Sequence, residues 1–500
     1  MTTGPLSGRH VAVVGAGLAG LAAALECADR GARVTLIERR RRLGGLTWSF
    51  DHNGLSVDNG QHVYLACCDA YLGFLDRIGA AGDVEPARPL DVAVVAPGPH
   101  PAAPPVVGRL RRRDLPVPLH LAGALLTYPH ISLADRLKLG RALAGLARLD
   151  LEDPRLDRVS FGEWLAARGQ SDRAVAAVWD LITVPTVNLP AAEASLATAA
   201  MVFKTGLLSS PAAADIGWSR VPLGRLHGEH AAAALARAGV EVRTGVRVRA
   251  VRPADDRAGR PAPEGPGGAG AGEWVVGLED GQLTADAVVS ALPHEEASEV
   301  LPAGLVSHQD SWPRLGSSGI VDVHLVYDRP VTGEALLAGH RSTVQWVFDR
   351  SGSSGLSSPD RGTQVGGRQY LAVSLSAADD LLGMRPEAIV ASTAQEVERL
   401  LPAAREARLV DSLVTKERRA TFRAAPGSNA IRPPALTSAP GLVLAGAWTS
   451  TGWPATMEGA VRSGWSAARA LTGTLDRSRQ LAERAGPARS DSSPAPQEVA

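Results

Sequence analysis

The sequence predicts an α/β fold built around a parallel β-sheet, and the order of segments near the N-terminus supports this class. An apolar run at residues 10–14 leads into a glycine-rich cluster at 15–20 and then into an alanine-rich segment at 21–29. A second apolar run at residues 33–37 ends at Glu38. The order of buried strand, glycine turn, helix, strand and acidic residue is typical of a Rossmann-like dinucleotide-binding unit.

Each glycine of this cluster has a physical role. Gly15 lets the chain turn out of the strand, Gly17 lets the backbone approach a pyrophosphate, and Gly20 lets helix and strand pack closely. The helix N-terminus then presents free N–H groups and positive potential to the phosphates. Glu38 stands at the spacing expected of a carboxylate that accepts hydrogen bonds from a ribose. The predicted cofactor contacts of this unit are Gly15, Ala16, Gly17, Leu18, Ala19, Gly20 and Glu38.

A second glycine pair, Gly44 and Gly45, follows this unit closely and favours FAD over NAD as the cofactor. Residues 42–45 resemble the second fingerprint of the amine-oxidase and phytoene-desaturase superfamily of flavoproteins. The resemblance implies an FAD-binding domain of the amine-oxidase type, in which this loop covers the pyrophosphate and leads toward the flavin. Arg39 and Arg42, in the arginine run beside the loop, are further predicted cofactor contacts.

Two later parts of the chain look like the segments that return to the cofactor domain in this superfamily. Residues 245–248 and 286–293 resemble a returning strand pair, and residues 441–449 resemble the last strand of the sheet. Residues 457–460 resemble the helix start that meets the isoalloxazine. Many relatives carry an acidic residue where this chain has Ala447, so that contact is replaced or absent. The resemblance implies cofactor contacts from Val246, Val248, Gly446, Thr456, Met457 and Glu458.

One branch of the superfamily resembles this chain more than the others do. The segments that carry the resemblance are residues 57–63, 179–180, 188–190, 193–195 and 449–460. They look like the squalene-associated flavoprotein desaturases, which are the hydroxysqualene dehydroxylases of bacterial hopanoid pathways. The first segment adds predicted cofactor contacts at Gly60, Gln61 and His62.

This resemblance implies a reductive reaction on an apolar C30 isoprenoid. Hydroxysqualene, made from presqualene diphosphate by a squalene/phytoene-synthase-like partner, loses its hydroxyl and gains a hydride from reduced flavin to become squalene. Because a hydroxyl is a poor leaving group, the reaction needs a proton donor and shelter from water for an allylic cation. His62 is the leading donor, since imidazole changes charge near neutral pH. The alternative is a structural histidine that hydrogen-bonds to the backbone.

Further candidates lie near the C-terminus and in the substrate domain. Trp448 and Trp453 either stack near the flavin and stabilise the cation, or fill the interdomain core. Trp453 and Glu458 join His62 as catalytic candidates. Glu458 is expected to act through the positive N-terminal end of its helix, which stabilises anionic reduced flavin. Asp180 and Asn188 are candidates from the substrate domain.

Three other functions stay open on the sequence. A carotenoid-type desaturase uses the same fold and an equally apolar substrate but transfers the hydride in the oxidative direction. An amine oxidase would consume oxygen with a polyamine or an aromatic amine. A noncatalytic flavin-containing partner of a synthase would bind lipid without a redox change of its flavin.

The composition excludes several classes of protein. The formal net charge is zero and the apolar fraction is 45%, so no overall basic field attracts nucleic acid. The three cysteines are too few and badly spaced for a disulfide framework or a zinc site, and we predict no metal and a reducing, cytoplasmic setting. The first strand begins too early for a signal peptide, and no apolar run reaches the ~18 residues needed to span a bilayer.

Peripheral contact with the inner face of the cell membrane is compatible with this composition. Residues 119–149 combine leucine-rich stretches with Arg136, Lys138, Arg141 and Arg148 at the spacing of an amphipathic helix pair. The same apolar face has an alternative use in packing on the substrate domain.

The predicted division of the chain is discontinuous. The FAD-binding domain takes residues 1–90, 216–302 and 431–475, an α+β substrate-binding domain takes residues 91–215 and 303–430, and residues 476–500 form a disordered tail.

Turn-forming residues mark smaller features within these domains. Asn53-Gly54 predicts a hairpin turn that needs positive φ. Residues 253–272 and 351–367 are rich in small and turn-forming residues and predict surface insertions.

Overall fold

The computed structural model describes residues 4–100, 103–254, 273–306, 308–356 and 367–485. The strands, β1–β20 in chain order, are His10–Val14, Arg33–Glu38, Ser49–His52, Leu55–Asp58, Val63–Leu65, Val84–Arg88, Asp91–Ala96, Val106–Arg111, Ile216–Ser219, Glu241–Thr244, Val248–Pro253, Trp274–Leu278, Gly281–Ala285, Ala287–Ser290, Ser318–Tyr327, Leu336–Gly339, Trp346–Asp349, Gln369–Leu375, Leu409–Thr421 and Leu442–Leu444. The α-helices, α1–α13, are Leu18–Asp29, Asp69–Ile78, Ala122–Thr127, Leu133–Ala147, Phe161–Ala166, Asp172–Ala174, Asp180–Val187, Leu196–Leu207, His230–Arg237, His294–Val300, Pro386–Leu400, Ser428–Ile431 and Met457–Ala485.

The predicted Rossmann-like sheet is present as a five-stranded parallel sheet in the order β10-β2-β1-β14-β20. Successive residues of β1 enter hydrophobic clusters on opposite faces, with Val13 on the α1 side and Val14 on the other. A sheet buried on both faces explains why β1 reads as a continuous apolar run. Helix α13 packs on α1 at Gly464, where a Cβ would lie 2.3 Å from the carbonyl oxygen of Ala19.

A second, seven-stranded sheet has the order β19-β15-β18-β17-β16-β7-β8. Its strands pair antiparallel except for β16 with β7, as expected of an α+β layer. All of them come from segments assigned to the substrate domain, and every strand of the parallel sheet comes from segments assigned to the FAD-binding domain. The helices between β8 and β9 form a separate core around Phe161, Trp179 and Phe203.

The predicted returning strand pair is only half correct. Residues 286–293 supply β14, which joins the parallel sheet, but residues 245–248 mostly form a connection. The cause is Gly245, whose φ of +75° ends β10 at Thr244. The strand that begins at Val248 joins a small antiparallel sheet with β12 and β13 instead.

The smaller predictions have different outcomes. The hairpin turn is confirmed, with φ of +50° at Asn53 and +78° at Gly54. The predicted tail begins too early, because α13 continues to Ala485 through a stretch of good helix formers such as leucine, arginine, glutamine and alanine. Residues 486–500 lie outside the described residues, as do 255–272 and 357–366 of the two predicted insertions.

Candidate flavin site and active centre

The glycine turn between β1 and α1 has the close contacts that require glycine. Gly15 has φ of +101°, and its N–H donates to the Ile37 carbonyl over 2.8 Å. A Cβ on Gly20 would lie 1.8 Å from the Gly15 carbonyl oxygen, so no side chain fits there. Gly17 differs, because a Cβ at that position would meet no heavy atom nearer than the Gly45 Cα at 3.8 Å. The space beside Gly17, at the N-terminus of α1, suits a phosphate group.

The second glycine pair lies directly against the first turn. Gly44 forms a parallel bridge with Gly17, and its N–H donates to the Ala16 carbonyl over 2.9 Å. Gly45 has φ of +60°, and a Cβ there would lie 2.7 Å from the Gly17 Cα. The structure therefore brings together the two glycine motifs that the sequence assigns to one pyrophosphate.

Glu38 is buried at the end of β2 beside this turn. Its Oε2 accepts the Ala16 N–H and its Oε1 accepts the Arg40 N–H, both over 2.8 Å. Each carboxylate oxygen keeps acceptor capacity for a ribose hydroxyl. Val246 lies close by, since its N–H donates to the Glu38 carbonyl, whereas Val248 is buried in the hydrophobic cluster under β11. Of the two valines, Val246 is the one that lies beside Glu38.

The two arginines predicted to contact the cofactor have separate positions. Arg39 pairs with Glu296 of α10 over 2.6 Å, so its guanidinium has a partner within the protein and its cofactor contact stays a prediction. Arg42 donates to the Gly45 carbonyl over 2.8 Å and lies 4.1 Å from the centre of the Trp48 ring. Burial lowers the pKa of Arg42 to about 10. Arg42 therefore holds the second glycine loop.

The loop between β20 and α13 is fixed by a buried arginine that sequence reasoning missed. Arg432 donates to the carbonyl oxygens of Ala447, Thr449 and Trp453 at 3.2, 2.6 and 2.8 Å. Burial lowers the pKa of Arg432 to about 10, and the guanidinium remains a cation at neutral pH. At Gly446, which has φ of +133°, the N–H donates to Ser463 Oγ over 2.8 Å.

The two tryptophans of this loop have different surroundings. Trp448 is buried, donates from Nε1 to the Leu292 carbonyl over 2.9 Å and contacts Trp312 edge-on, so it fills the core. Trp453 is partly buried, with the Arg462 guanidinium 4.9 Å from its ring centre.

Glu458 lies in the first turn of α13, where the structure gives its carboxylate partners within the protein. Its carboxylate accepts the backbone N–H groups of Ala70 and Tyr71 at 3.1 and 2.7 Å and pairs with Arg462 at 2.6 Å. The side chain is 1% exposed and caps helix α2, and its predicted role through the N-terminal end of α13 stays a prediction. Just before it, Thr456 Oγ1 accepts the Gly459 N–H, and Met457 packs on the cofactor-domain core.

The segment 58–62 lies where the two domains meet. Asp58 pairs with Arg350 of the substrate domain over 3.1 Å, and both side chains are buried. The Gln61 N–H points to Asp322 Oδ1 at 3.3 Å, and His62 Nδ1 lies 3.1 Å from the Gly60 carbonyl. Contacts from both domains therefore position the predicted flavin contacts Gly60, Gln61 and His62.

Two histidines in this region are kept neutral by burial. Burial lowers the pKa of His62, and it lowers the pKa of His227 to about 3, with the nearby His62 adding to the effect. His227 Nε2 is 2.8 Å from the Tyr71 hydroxyl. The hydrogen bond of His62 to the backbone also matches the structural alternative considered for this residue.

Unpaired polar atoms around the glycine loops fit a bound flavin. Among the described residues, Trp48 Nε1, Gln61 Nε2 and His227 Nδ1 are buried without a hydrogen-bond partner. A Cβ built on Gly44 would lie 3.6 Å from the Cβ of His227, so the His227 side chain lies beside the second glycine loop. Buried polar groups normally have partners, so these atoms are suited to the heteroatoms of a cofactor.

The two substrate-domain candidates have positions that stabilise the fold. Asp180 Oδ1 accepts the Ala191 N–H over 2.7 Å, and burial raises the pKa of its carboxyl. Asn188 has φ of +60° and donates from Nδ2 to the Ser318 carbonyl over 3.0 Å. Asp180 ties the start of α7 to Ala191, and Asn188 ends α7 and ties it to β15.

A comparison with known families agrees with this geometry. The family model described as flavin containing amine oxidoreductase matches residues 18–472. The chain belongs to this family. It is 33% identical to the hydroxysqualene dehydroxylase of Rhodopseudomonas palustris over 469 residues, which cover 92% of this chain and 97% of that protein. It is 25% identical to a zeta-carotene desaturase of Synechocystis over 498 residues, with the same shares covered.

Solved structures of two oxidases share the fold. A putrescine oxidase variant superposes with a TM-score of 0.67 at 19% identity, covering 93% of this chain and 99% of that chain. Cyclohexylamine oxidase from Brevibacterium oxydans superposes with a TM-score of 0.67 at 18% identity, covering 94% of this chain and 100% of that chain. This flavin-containing amine oxidoreductase is an FAD-dependent enzyme of Rossmann-like fold, as its glycine motifs predict.

Proposed function

We propose that this oxidoreductase converts hydroxysqualene to squalene by FAD-dependent reductive dehydroxylation, as a step of hopanoid or triterpenoid biosynthesis. The observation that carries the proposal is the likeness to the Rhodopseudomonas palustris dehydroxylase over nearly the full length of both proteins. A dehydroxylase of Sinorhizobium fredii is similar over the same 92% of the chain, at 28% identity.

The reaction divides between the cofactor and the protein. Reduced flavin supplies the hydride that replaces the hydroxyl. The chain must bind the apolar substrate, exclude water from the cationic carbon, and deliver a proton to the leaving oxygen. The segment 58–62 carries a histidine among the predicted flavin contacts, and the N–H of the neighbouring Gln61 donates to a buried carboxyl of the substrate domain, Asp322. These groups give the site the titratable side chains that a dehydroxylation requires.

An anaerobic experiment tests the proposal. The flavin of the purified protein is reduced, hydroxysqualene is added, and flavin absorbance is followed while products are identified by mass spectrometry. We expect reoxidation of the flavin in step with squalene formation. Flavin that stays reduced beside unchanged alcohol would contradict the proposal.

A carotenoid-type desaturase is the second candidate, because the chain also resembles zeta-carotene desaturases over nearly its whole length. The oxidised protein incubated with phytoene then forms a conjugated, coloured polyene. An amine oxidase would instead consume oxygen with an amine, and a noncatalytic flavin-containing partner of a synthase would show no redox change with any of these compounds.

We further propose that the enzyme meets its apolar substrate at an anionic membrane surface, where a squalene/phytoene-synthase-like enzyme supplies it. The support lies in the leucine-rich segment before and within α4. Leu119, Leu126, Leu133 and Leu137 are 56%, 64%, 68% and 74% exposed. Leucines exposed to this extent in one segment are unusual for a protein that remains in water.

The design of α4 separates a packed face from this exposed face. The helix begins with a capping box between Ser132 and Asp135 and buries Leu139, Ala142 and Leu146 in the substrate domain. Its opposite face carries Leu133 and Leu137 with the exposed cations Lys138 and Arg141. Leucines flanked by cations suit the interface of an anionic bilayer. No helix of the described residues is long and apolar enough to cross a bilayer.

We expect the double variant Leu133→Ser/Leu137→Ser to lose binding to phosphatidylglycerol vesicles while it keeps FAD and its thermal midpoint. The measurement is vesicle sedimentation, with phosphatidylcholine vesicles showing the contribution of lipid charge. Leu436→Ser removes an exposed leucine at another place and is the matched control. Equal sedimentation of the wild type and the double variant would contradict membrane contact through α4.

A further inference from the structure

We propose that Asp322 is the proton donor of the reaction and protonates the leaving hydroxyl oxygen. This inference rests on the proposed dehydroxylation and deepens it. It assigns the acid to a residue of the substrate domain, whereas the sequence points to His62 on the cofactor side. In this assignment His62 is a neighbour of the proton donor and does not itself donate the proton.

The position of Asp322 carries the inference. It lies within β15, where its neighbours across the sheet are Ser374 of β18 and Thr415 of β19. The residue is 1% exposed, and its Oδ1 accepts the Gln61 N–H at 3.3 Å. Its Oδ2 would lie 3.2 Å from a Cβ on Gly60. The carboxyl therefore lies directly against the two residues that precede His62.

The carboxyl of Asp322 accepts hydrogen bonds but has no cationic partner in the part of the chain that the structure describes. Asp58, the other buried carboxylate of the segment, has Arg350 as a cationic partner, and no ion pair of Asp322 is found among the described residues. Burying a carboxylate without a cation costs free energy, so the carboxyl favours its protonated form. Such an unpaired acid beside a predicted cofactor contact is a candidate for chemistry.

The ionisation of Asp322 suits proton donation near neutral pH. Burial raises the pKa of Asp322 to about 7, the negative charge of Asp58 adds to the rise, and hydrogen bonds from Ser374 and Gln61 oppose it. The other titratable groups around it are Arg350, His62 and Tyr370. Burial lowers the pKa of His62, which leaves its ring neutral at pH 7. Of the two groups, the carboxyl is the better proton source.

The atoms and electrons of the step balance. The Asp322 carboxyl transfers its proton to the hydroxyl oxygen, the carbon–oxygen bond breaks with both electrons going to oxygen, and water leaves. The allylic carbon then accepts a hydride, for which reduced flavin is the two-electron source. Asp322 is left as a carboxylate and must regain a proton before the next turnover.

Replacement of the leaving group separates proton donation from a structural role. In the acetate ester of hydroxysqualene, the leaving group departs as acetate and needs no proton. We expect Asp322→Asn, which keeps the size of the side chain, to form squalene from the alcohol about 100-fold or more slowly. With the ester as substrate, we expect the rate of squalene formation by the variant to be within tenfold of the wild-type rate. Asp157→Asn, at another buried carboxyl with a raised pKa, is the matched control and changes both rates by the same factor.

The pH dependence adds a second criterion. With the alcohol as substrate, the wild-type rate is highest where Asp322 is protonated and falls as the pH rises through about 7. Asp322→Asn loses this limb, because the asparagine side chain has no proton to release. The ester reaction lacks the limb in both proteins.

A measurement without turnover reports on the proton directly. Isotope-edited infrared spectroscopy of protein labelled with ¹³C-aspartate detects the carbonyl stretch of a protonated carboxyl. We expect a band that disappears as the pH rises through about 7 and is missing from Asp322→Asn. Absence of this band from the wild type would overturn the assignment.

The remaining outcomes are distinct. Asp322 is not the donor if Asp322→Asn slows squalene formation from the ester as much as from the alcohol. It is also not the donor if His62→Gln is slow with the alcohol but reacts with the ester at nearly the wild-type rate. If the wild type reduces neither compound, the proposed dehydroxylation fails and the donor assignment fails with it.

Discussion

Gly17→Val is expected to give a folded protein that purifies without FAD. The backbone at Gly17 has φ of −74° and ψ of 177°, which any residue adopts. A Cβ there meets no protein atom within 3.8 Å, so the fold accepts a side chain. The valine methyl groups would fill the space beside the N-terminus of α1 where the pyrophosphate must approach. The measurement is the ratio of flavin to protein absorbance after purification.

Two other glycines frame this result. Gly82→Ala is the matched control, because nothing lies within 4 Å of a Cβ at that position, and we expect full flavin content. Gly20→Ala places a methyl group 1.8 Å from the Gly15 carbonyl oxygen, so we expect loss of folded protein rather than loss of FAD alone. A yellow Gly17→Val protein with stoichiometric FAD would show that the cofactor lies elsewhere.

Arg350→Met is expected to lower the free energy of unfolding by about 3 to 5 kcal/mol, because it leaves Asp58 buried without its cation. The Arg350 guanidinium also donates to the Ser219 carbonyl over 3.1 Å. Asp58 Oδ1 already accepts the Ser49 hydroxyl at 2.6 Å and the Leu223 N–H at 2.9 Å, so the carboxylate cannot move to solvent without breaking these bonds.

Urea unfolding followed by tryptophan fluorescence measures this change in FAD-loaded protein. Arg155→Met is the control, since the Arg155 side chain is 81% exposed in its pair with Asp153 and an exposed pair contributes about 1 kcal/mol or less. We also expect weaker retention of FAD in Arg350→Met, because Asp58 begins the segment with the predicted flavin contacts. A loss of stability equal to that of the control would contradict a structural role for the buried pair.

Local sequence was sufficient where the structure is made of local contacts. The turn at residues 15–20 requires a positive φ at Gly15 and leaves no space for a side chain at Gly20. Both requirements are met by glycine, so the sequence shows them directly. The buried run of β1 and the hairpin turn at Asn53 are equally local. Gly245 was the instructive failure, because a single positive φ ended a strand that apolar residues on both sides suggested.

The roles of the charged residues depended on distant partners. The sequence places Glu458 at a helix start beside flavin. In the structure its carboxylate caps α2 by accepting the N–H groups of Ala70 and Tyr71, which are 388 and 387 positions away in the chain. Arg39 reads as a cofactor contact, and its guanidinium pairs with Glu296. No spacing rule links Asp58 to Arg350, or Asp322 to Gln61, because the two domains are interleaved along the chain.

The sequence alone determined the Rossmann-like class and the glycine loops, because backbone conformation and hydrophobic periodicity depend on neighbours in the chain. It indicated FAD through the second glycine pair and the family resemblance that this pair carries. The tertiary structure alone decided which charges are neutralised and which stay unpaired. Packing of the seven-stranded sheet on the segment 58–62 pairs Asp58 with a cation and leaves Asp322 without one. Burial and long-range contacts set the ionisation of these groups, and the linear sequence does not contain those distances.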